Sequence, residues 1–392
     1  MPCAPVSLTP LLLALSAAPQ DEAAAAGAVP APEPASWLER HDVRLGLYGS
    51  FLARKDDRGI EGDPPPDDGD VTDIARLRQV DLSLSATLVE GVDTVLTASV
   101  QSNRINTEYG VDVEEAYLEV GRLPLLGELP RGLSLQLGQF RTHFGFLNPE
   151  RVFDLPQLRR PRALTGFFGV DGYSQLGGSA SYERELPGEV GALRATWDYL
   201  DSGNPPLTSG EAGDVGEGGA TGAQAARLAW TTPEGGAHSL RAGASYYRGR
   251  QADRDERRTN LFGLDALYTW SAPEREGLNA WRLGGEWIGA RIDRDGAAAD
   301  EPESWYAWSQ VQLGRRWILG AHYDVSEELD APELVTRSLG ATLTWLESAD
   351  LRYSLGVETT RSDLDLLDGA TRAFAAVTFA LGPAPRRPFW VR

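Results

Sequence analysis

The chain has 392 residues, a formal net charge of -20, 43 glycines, 25 prolines and a single cysteine. With Cys3 as the sole thiol, neither an internal disulfide framework nor a thiolate metal cluster can form, and the acidic excess opposes nucleic-acid binding. No segment approaches eighteen consecutive apolar residues, which excludes a helical span and leaves the β-barrel as the one membrane-crossing form.

At the N-terminus the apolar run LLLALSAA (11–18) is too short for a transmembrane helix and fits the core of a secretory signal, although no Lys or Arg precedes it. Residues 1–20 are therefore expected to be a signal peptide. Residues 21–41, rich in Ala, Pro and Glu, are expected to be a flexible lead-in. From 42 to 392 the dominant pattern has period two, which places alternate side chains on opposite faces of a strand. In one such stretch Val80, Leu82, Leu84, Ala86 and Leu88 share a face, while Asp81, Ser83, Ser85 and Thr87 share the other. Leu96, Ala98 and Val100 oppose Thr97, Ser99 and Gln101, and near the end Leu339, Ala341, Leu343 and Trp345 oppose Ser338, Thr342 and Thr344.

Followed along the chain, this alternation gives strands starting near 43, 75, 93, 113, 133, 173, 192, 223, 239, 260, 280, 304, 317, 334, 350 and 371. Their connections alternate in length. EGVD (90–93), ELPGEVG (185–191), TTPEGG (231–236), GRR (314–316) and ESAD (347–350) are compact. Those between them, 55–73, 201–222, 249–259, 293–303 and 361–370, are mostly longer and richer in charge or Gly. Short periplasmic turns alternating with long external loops are the signature of an outer-membrane barrel, and a β-sandwich has no reason to show them. GRLPLLGELPRG (121–132) is long for a periplasmic turn. The expected fold is thus all-β, a transmembrane antiparallel barrel of about sixteen strands with long external loops. Tyr199, Trp230, Tyr268, Trp270, Trp281, Trp305, Trp317, Trp345 and Phe379 fall near strand ends, where amphipathic rings favour the membrane boundary.

Within this frame Asp81, Glu115, Tyr117 and Glu119 are expected to face the lumen, as pore charge rather than acid-base machinery. The run Asp56 to Asp73, with eight acids against Arg58, reads as a solvated external loop. GEAGDVGEGGATG (210–222) lacks the GK[ST] ending of a phosphate cradle and reads as a flexible loop. His41, His143, His238 and His322 show neither HxxxH nor HExxH spacing, so no metal or other cofactor is expected, and no GxSxG marks a hydrolase nucleophile.

DVEEAYLEV (112–120), SLQLGQFRTHFGFLN (134–148) and RRPRALTGFFGVDGYSQLGGSASY (159–182) resemble the phosphate-selective porin O and P family, as does the closing VTFALGPAPRRPF (377–389). The resemblance implies an outer-membrane porin, with a homotrimer as its expected assembly, that is bathed in outer-membrane lipid and passes small hydrophilic solutes or ions, phosphate and other anions among them. It also implies that the third external connection, 141–172, folds into the barrel as a constriction loop. Arg141, His143, Glu150, Arg151, Asp154, Arg159, Arg160 and Arg162 are the constriction candidates, because charged rings sort ions by sign and Arg donates in pairs to oxyanions. Only one lysine, Lys55, is present, and phosphate selectivity in the family is associated with lysines as well as arginines. The reading is a passive channel in the bacterial outer membrane and not an enzyme. An esterase-like barrel using His143 or His322, or a structural or adhesive surface barrel, is the alternative.

Overall fold

The computed structural model describes residues 41–56, 73–102, 109–123, 127–169, 172–201, 222–233, 236–250, 258–272, 279–293, 298–329, 331–364 and 368–382. The expected signal peptide, most of the lead-in, nearly all of the acidic run 56–73, the Gly-rich stretch 210–221 and the C-terminal 383–392 lie outside them.

Among the described residues eighteen strands follow in chain order: β1 Arg44–Asp56, β2 Asp73–Val89, β3 Val92–Ser102, β4 Tyr109–Val120, β5 Arg122–Leu123, β6 Gly127–Glu128, β7 Leu133–Arg141, β8 Ser174–Leu186 and β9 Gly191–Leu200. The second half is β10 Ala223–Thr231, β11 His238–Arg250, β12 Arg258–Ser271, β13 Asn279–Ile292, β14 Glu303–Leu313, β15 Trp317–Glu328, β16 Ala331–Leu346, β17 Leu351–Ser362 and β18 Thr371–Leu381. One helix, α1 Arg162–Phe168, and a 3-10 turn over Val152–Asp154 lie in the connection after β7. All strands except β5 and β6 form one closed antiparallel barrel of sixteen, sealed by β1 against β18 from Leu47↔Leu381 to Asp56↔Arg372. Closure leaves no unpaired edge, as a backbone in hydrocarbon requires. The long turn 121–132 contains the small hairpin of β5 and β6, which explains its length. One surface-side connection departs from the expected pattern: β15 ends at Glu328 and β16 starts at Ala331.

The two faces separate by chemistry as the alternation requires. Outward, Leu82, Leu176, Leu264, Leu339 and Leu355 are 54 to 58% exposed, an apolar band for lipid. Near the strand ends the aromatics pair across strands: Trp317 sits opposite Trp345 with ring centroids 4.5 Å apart, and Trp305 lies 5.4 Å from Tyr323. Inward, Asp81, Ser83, Ser99, Asp198, Asp324 and Thr360 are buried. Closure, the outward apolar band and the inward polar face are together those of a membrane-spanning β-barrel. Its interior is packed, because the connection between β7 and β8 lies inside it.

Candidate pore constriction

The loop leaves the wall at Arg141 and returns at Ser174, which are register partners. Its neck is closed by the Thr142 N–H donating to the Tyr173 carbonyl at 2.9 Å. Asn148 clamps both ends: its Nδ2 donates to the Thr142 carbonyl at 2.8 Å, and its Oδ1 accepts from the Tyr173 N–H at 3.1 Å. Arg160, fully buried, donates from Nη1 to the Leu147 carbonyl and from Nη2 to the Glu150 carbonyl, each at 2.7 Å. A segment of irregular backbone is thus hydrogen-bonded within itself, the condition for its standing at membrane depth.

Apolar side chains give the loop its own core. Phe144, Phe146, Leu147, Leu164, Phe167 and Phe168 are all buried, together with Tyr247, Tyr306 and Trp308 of the wall. Burying one such side chain contributes about 1.5 to 3 kcal/mol, so the cluster favours the inserted state strongly. The wall makes room by deletion: a Cβ at Gly263 would stand 2.8 Å from the Phe144 ring. Gly145 has a φ of 63°, and a Cβ there would meet the Glu286 carboxylate. Glycine therefore lets the loop backbone lie against that acid.

Polar wall groups then pin the loop around the circumference. On one side the His143 N–H donates to Asp198 Oδ2 of β9 at 2.8 Å, and its Nδ1 lies 3.0 Å from Oδ1. The Gly145 N–H donates to Ser245 Oγ of β11 at 3.0 Å, and the Phe146 and Leu147 N–H groups share Glu286 Oε1 of β13 at 2.7 and 2.9 Å. On the other side Gln310 of β14 donates to the Pro156 carbonyl at 2.5 Å, Arg352 of β17 to the Phe153 carbonyl and Arg78 of β2 to the Leu158 carbonyl. Arg159 donates from Nε to Glu358 Oε2 of β17 at 2.7 Å, with Nη2 3.6 Å from Asp324 of β15. His322 Nε2 is 3.0 Å from the same Glu358 oxygen. Arg151 lies over the Tyr48 ring at 5.1 Å, with Nη1 3.9 Å from Asp81.

The expected constriction residues are thus brought to one loop, but they do different things. Arg141 is tied to Glu114 at 2.5 Å, Arg159 to Glu358 and Arg160 to loop carbonyls. Arg162 opens α1, which packs on β14 and β15. Asp154, on the 3-10 turn of the loop, is buried; burial pushes its carboxyl up from the ordinary value, and Arg151 and Arg352 pull it back. Glu150 is half-buried and accepts from Arg160 through its backbone. Asp81, Glu115 and Tyr117 are buried, whereas Glu119, nearer the periplasmic end, is exposed.

Sequence reasoning missed Glu114. A register shift between Thr97 and Ala98 makes a bulge opposite it, so Glu114 and Glu115 are both buried, and Glu114 also accepts from Ser99 Oγ at 3.1 Å. It also missed Asp198, Glu286 and Glu358. Each is a single acid at an inward position of an otherwise regular strand, and that isolation was the available signal. Among the described residues no group of three His, Cys, Asp or Glu is placed to hold a metal ion.

The chain is similar over most of its length to solved outer-membrane barrels. OprB of Pseudomonas putida matches with a TM-score of 0.57 at 10% identity, covering 88% of this chain and 95% of that one. An anion-selective porin from Comamonas acidovorans matches with a TM-score of 0.55 at 11% identity, covering 87% and 100%. The fold is that of an outer-membrane porin. No protein-family model and no curated protein matches the chain, so the porin fold stands without the narrower phosphate-selective family. The trimer form of OmpT, an outer membrane protein of Vibrio cholerae, matches with a TM-score of 0.51 at 9% identity, covering 86% and 99%. That match corrects the expectation that the chain is not an enzyme. At this identity OmpT and the porins share the fold alone with this chain, and a shared fold does not exclude catalysis.

Proposed function

We propose that the protein is a passive diffusion channel for small hydrophilic solutes and ions, narrowed by the loop at 141–172. The observation that carries this reading is the loop itself. It is anchored inside the barrel by wall groups on β2, β9, β11, β13, β14, β15 and β17, an investment in position that a barrel serving only as scaffold does not need. Flux follows the gradient, and selection comes from bore width and charge placement. Anions, phosphate among them, are the solutes favoured by the arginines at this level and by the motif resemblance. The similarity to a trimer form supports a homotrimer as the working assembly, and residues 1–20 would act as the export signal ahead of the lead-in. Purified protein in planar lipid bilayers is expected to give stepwise conductance increments. A folded barrel that inserts without any conductance contradicts the reading.

A further inference from the structure

The outward face of the wall carries a basic pair that a channel does not use. Arg337 of β16 and Arg361 of β17 are direct register partners, and both are exposed. Parity puts them on the lipid-facing side with Leu339 and Leu355, 55 and 58% exposed. Neither side chain has a hydrogen bond or ion pair to any described residue. Outward acids toward the same end are engaged elsewhere: Asp363 accepts from the Val335 N–H at 2.9 Å, and Glu327 from the Glu303 N–H at 2.8 Å. Glu333, beyond the register shift at Glu327/Glu328, makes no ion pair with Arg337. Like charges placed directly opposite each other on a sheet destabilise it, so this pair calls for an anion from outside the chain.

Register also gives their depth. The short turn 347–350 joins β16 to β17 at the periplasmic end, where Trp317 pairs with Trp345 and Trp345 with Tyr353, rings suited to the membrane boundary. Arg337 and Arg361 stand eight residues further along their strands. That is about 27 Å at the rise of a strand, and about 20 Å along the membrane normal at a strand tilt of about 40°. The outward pairs between are Leu343 with Leu355, Ala341 with Val357 and Leu339 with Thr359, apolar but for one hydroxyl. The outward band of such a barrel is about 25 Å tall, so the two guanidinium groups reach its external boundary, the level of lipid headgroups. Aromatic rings lie beside them: Arg337 pairs with Val325, which pairs with Trp305, whose ring centroid is 5.4 Å from that of Tyr323. Solute in the bore does not meet this face, whereas a lipid of the outer leaflet lies against it.

We propose that Arg337 and Arg361 bind the phosphate group of an outer-leaflet lipid. Cross-strand partners stand about 5 Å apart, a spacing that lets both planar guanidinium forks close on one phosphate. The test uses the full-length protein in neutral detergent, R337Q/R361Q and R337K/R361K, each checked for heat-resistant folding, with R361Q alone if the double Gln variant does not fold. Diphosphoryl lipid A, its fully dephosphorylated form and inorganic phosphate are added in turn, and bound lipid and subunit number are read by native mass spectrometry. The parent is expected to retain the diphosphoryl lipid and to release the dephosphorylated one. In the Gln variant retention falls about tenfold, as loss of charge-assisted hydrogen bonds implies, and the Lys variant keeps part of it. Inorganic phosphate leaves the bound lipid in place. No retention by the parent, equal retention by the Gln variant, or equal retention of the dephosphorylated lipid overturns the proposal. Full displacement by inorganic phosphate overturns it too, and makes the pair a site for free anions. Loss of a parent oligomer in the Gln variant with lipid retention unchanged also overturns it, and assigns the pair to a contact between copies of the chain.

Discussion

Arg160 decides more at the constriction than its charge suggests. Its guanidinium joins the carbonyls of Leu147 and Glu150 and so ties the first part of the loop to the segment leading into α1. Charged donors contribute about 1.5 to 3 kcal/mol per hydrogen bond, and a buried carbonyl left without a donor costs more. Arg160→Ala is therefore expected to loosen the loop by about 3 kcal/mol while the barrel stays folded. Limited proteolysis should then cut within 144–170 in a variant that keeps heat-resistant migration, and protection equal to the parent would contradict the assignment. The sequence marked Arg160 as a candidate because it stands in a basic cluster. It could not say whether the side chain faces water or its own backbone, since that choice depends on carbonyls 10 and 13 residues away placed by the insertion itself. The same holds for Arg159, whose partner Glu358 lies 199 residues further along.

Strands were far more legible than side-chain partners. Period two is a local property, and every barrel strand begins within four residues of the position that the alternation assigns. The largest differences, at β4 and β16, fall on strands with register shifts, between Thr97 and Ala98 for β4 and between Glu327 and Glu328 for β16. A bulge breaks the parity on which the reading depends, and Glu114 was missed for that reason. Parity also gives the lipid-facing set. Leu82 sits midway along β2, is 54% exposed and pairs with Leu47 and Ala98. Leu82→Arg should destabilise the barrel by about 2 to 4 kcal/mol, read as a lower midpoint in urea unfolding from lipid vesicles. An unchanged midpoint would mean that this face does not meet hydrocarbon.

For the whole molecule, the barrel and its inserted loop are separable in principle. The sixteen strands close through their own ladders, and Thr142 and Tyr173 are already hydrogen-bonded across the neck, so a short linker can rejoin the wall where the loop departs. The loop supplies the lumen with its aromatic core and occupies Asp198, Glu286, Glu358 and Asp324 of the wall. Without it those acids would face an open, water-filled bore. The length asymmetry of the connections placed this segment third among the external ones, and the family resemblance implied that it turns inward. Its pinning to the wall is a long-range outcome that no local pattern contains. The most direct test of the account is therefore the single-channel conductance of the parent against a variant in which residues 144–170 are replaced by a short Gly-Ser linker, in the same salt. The linker variant is expected to be a folded, heat-resistant barrel whose conductance rises several-fold. Equal conductance in the two proteins would contradict a constriction at this loop.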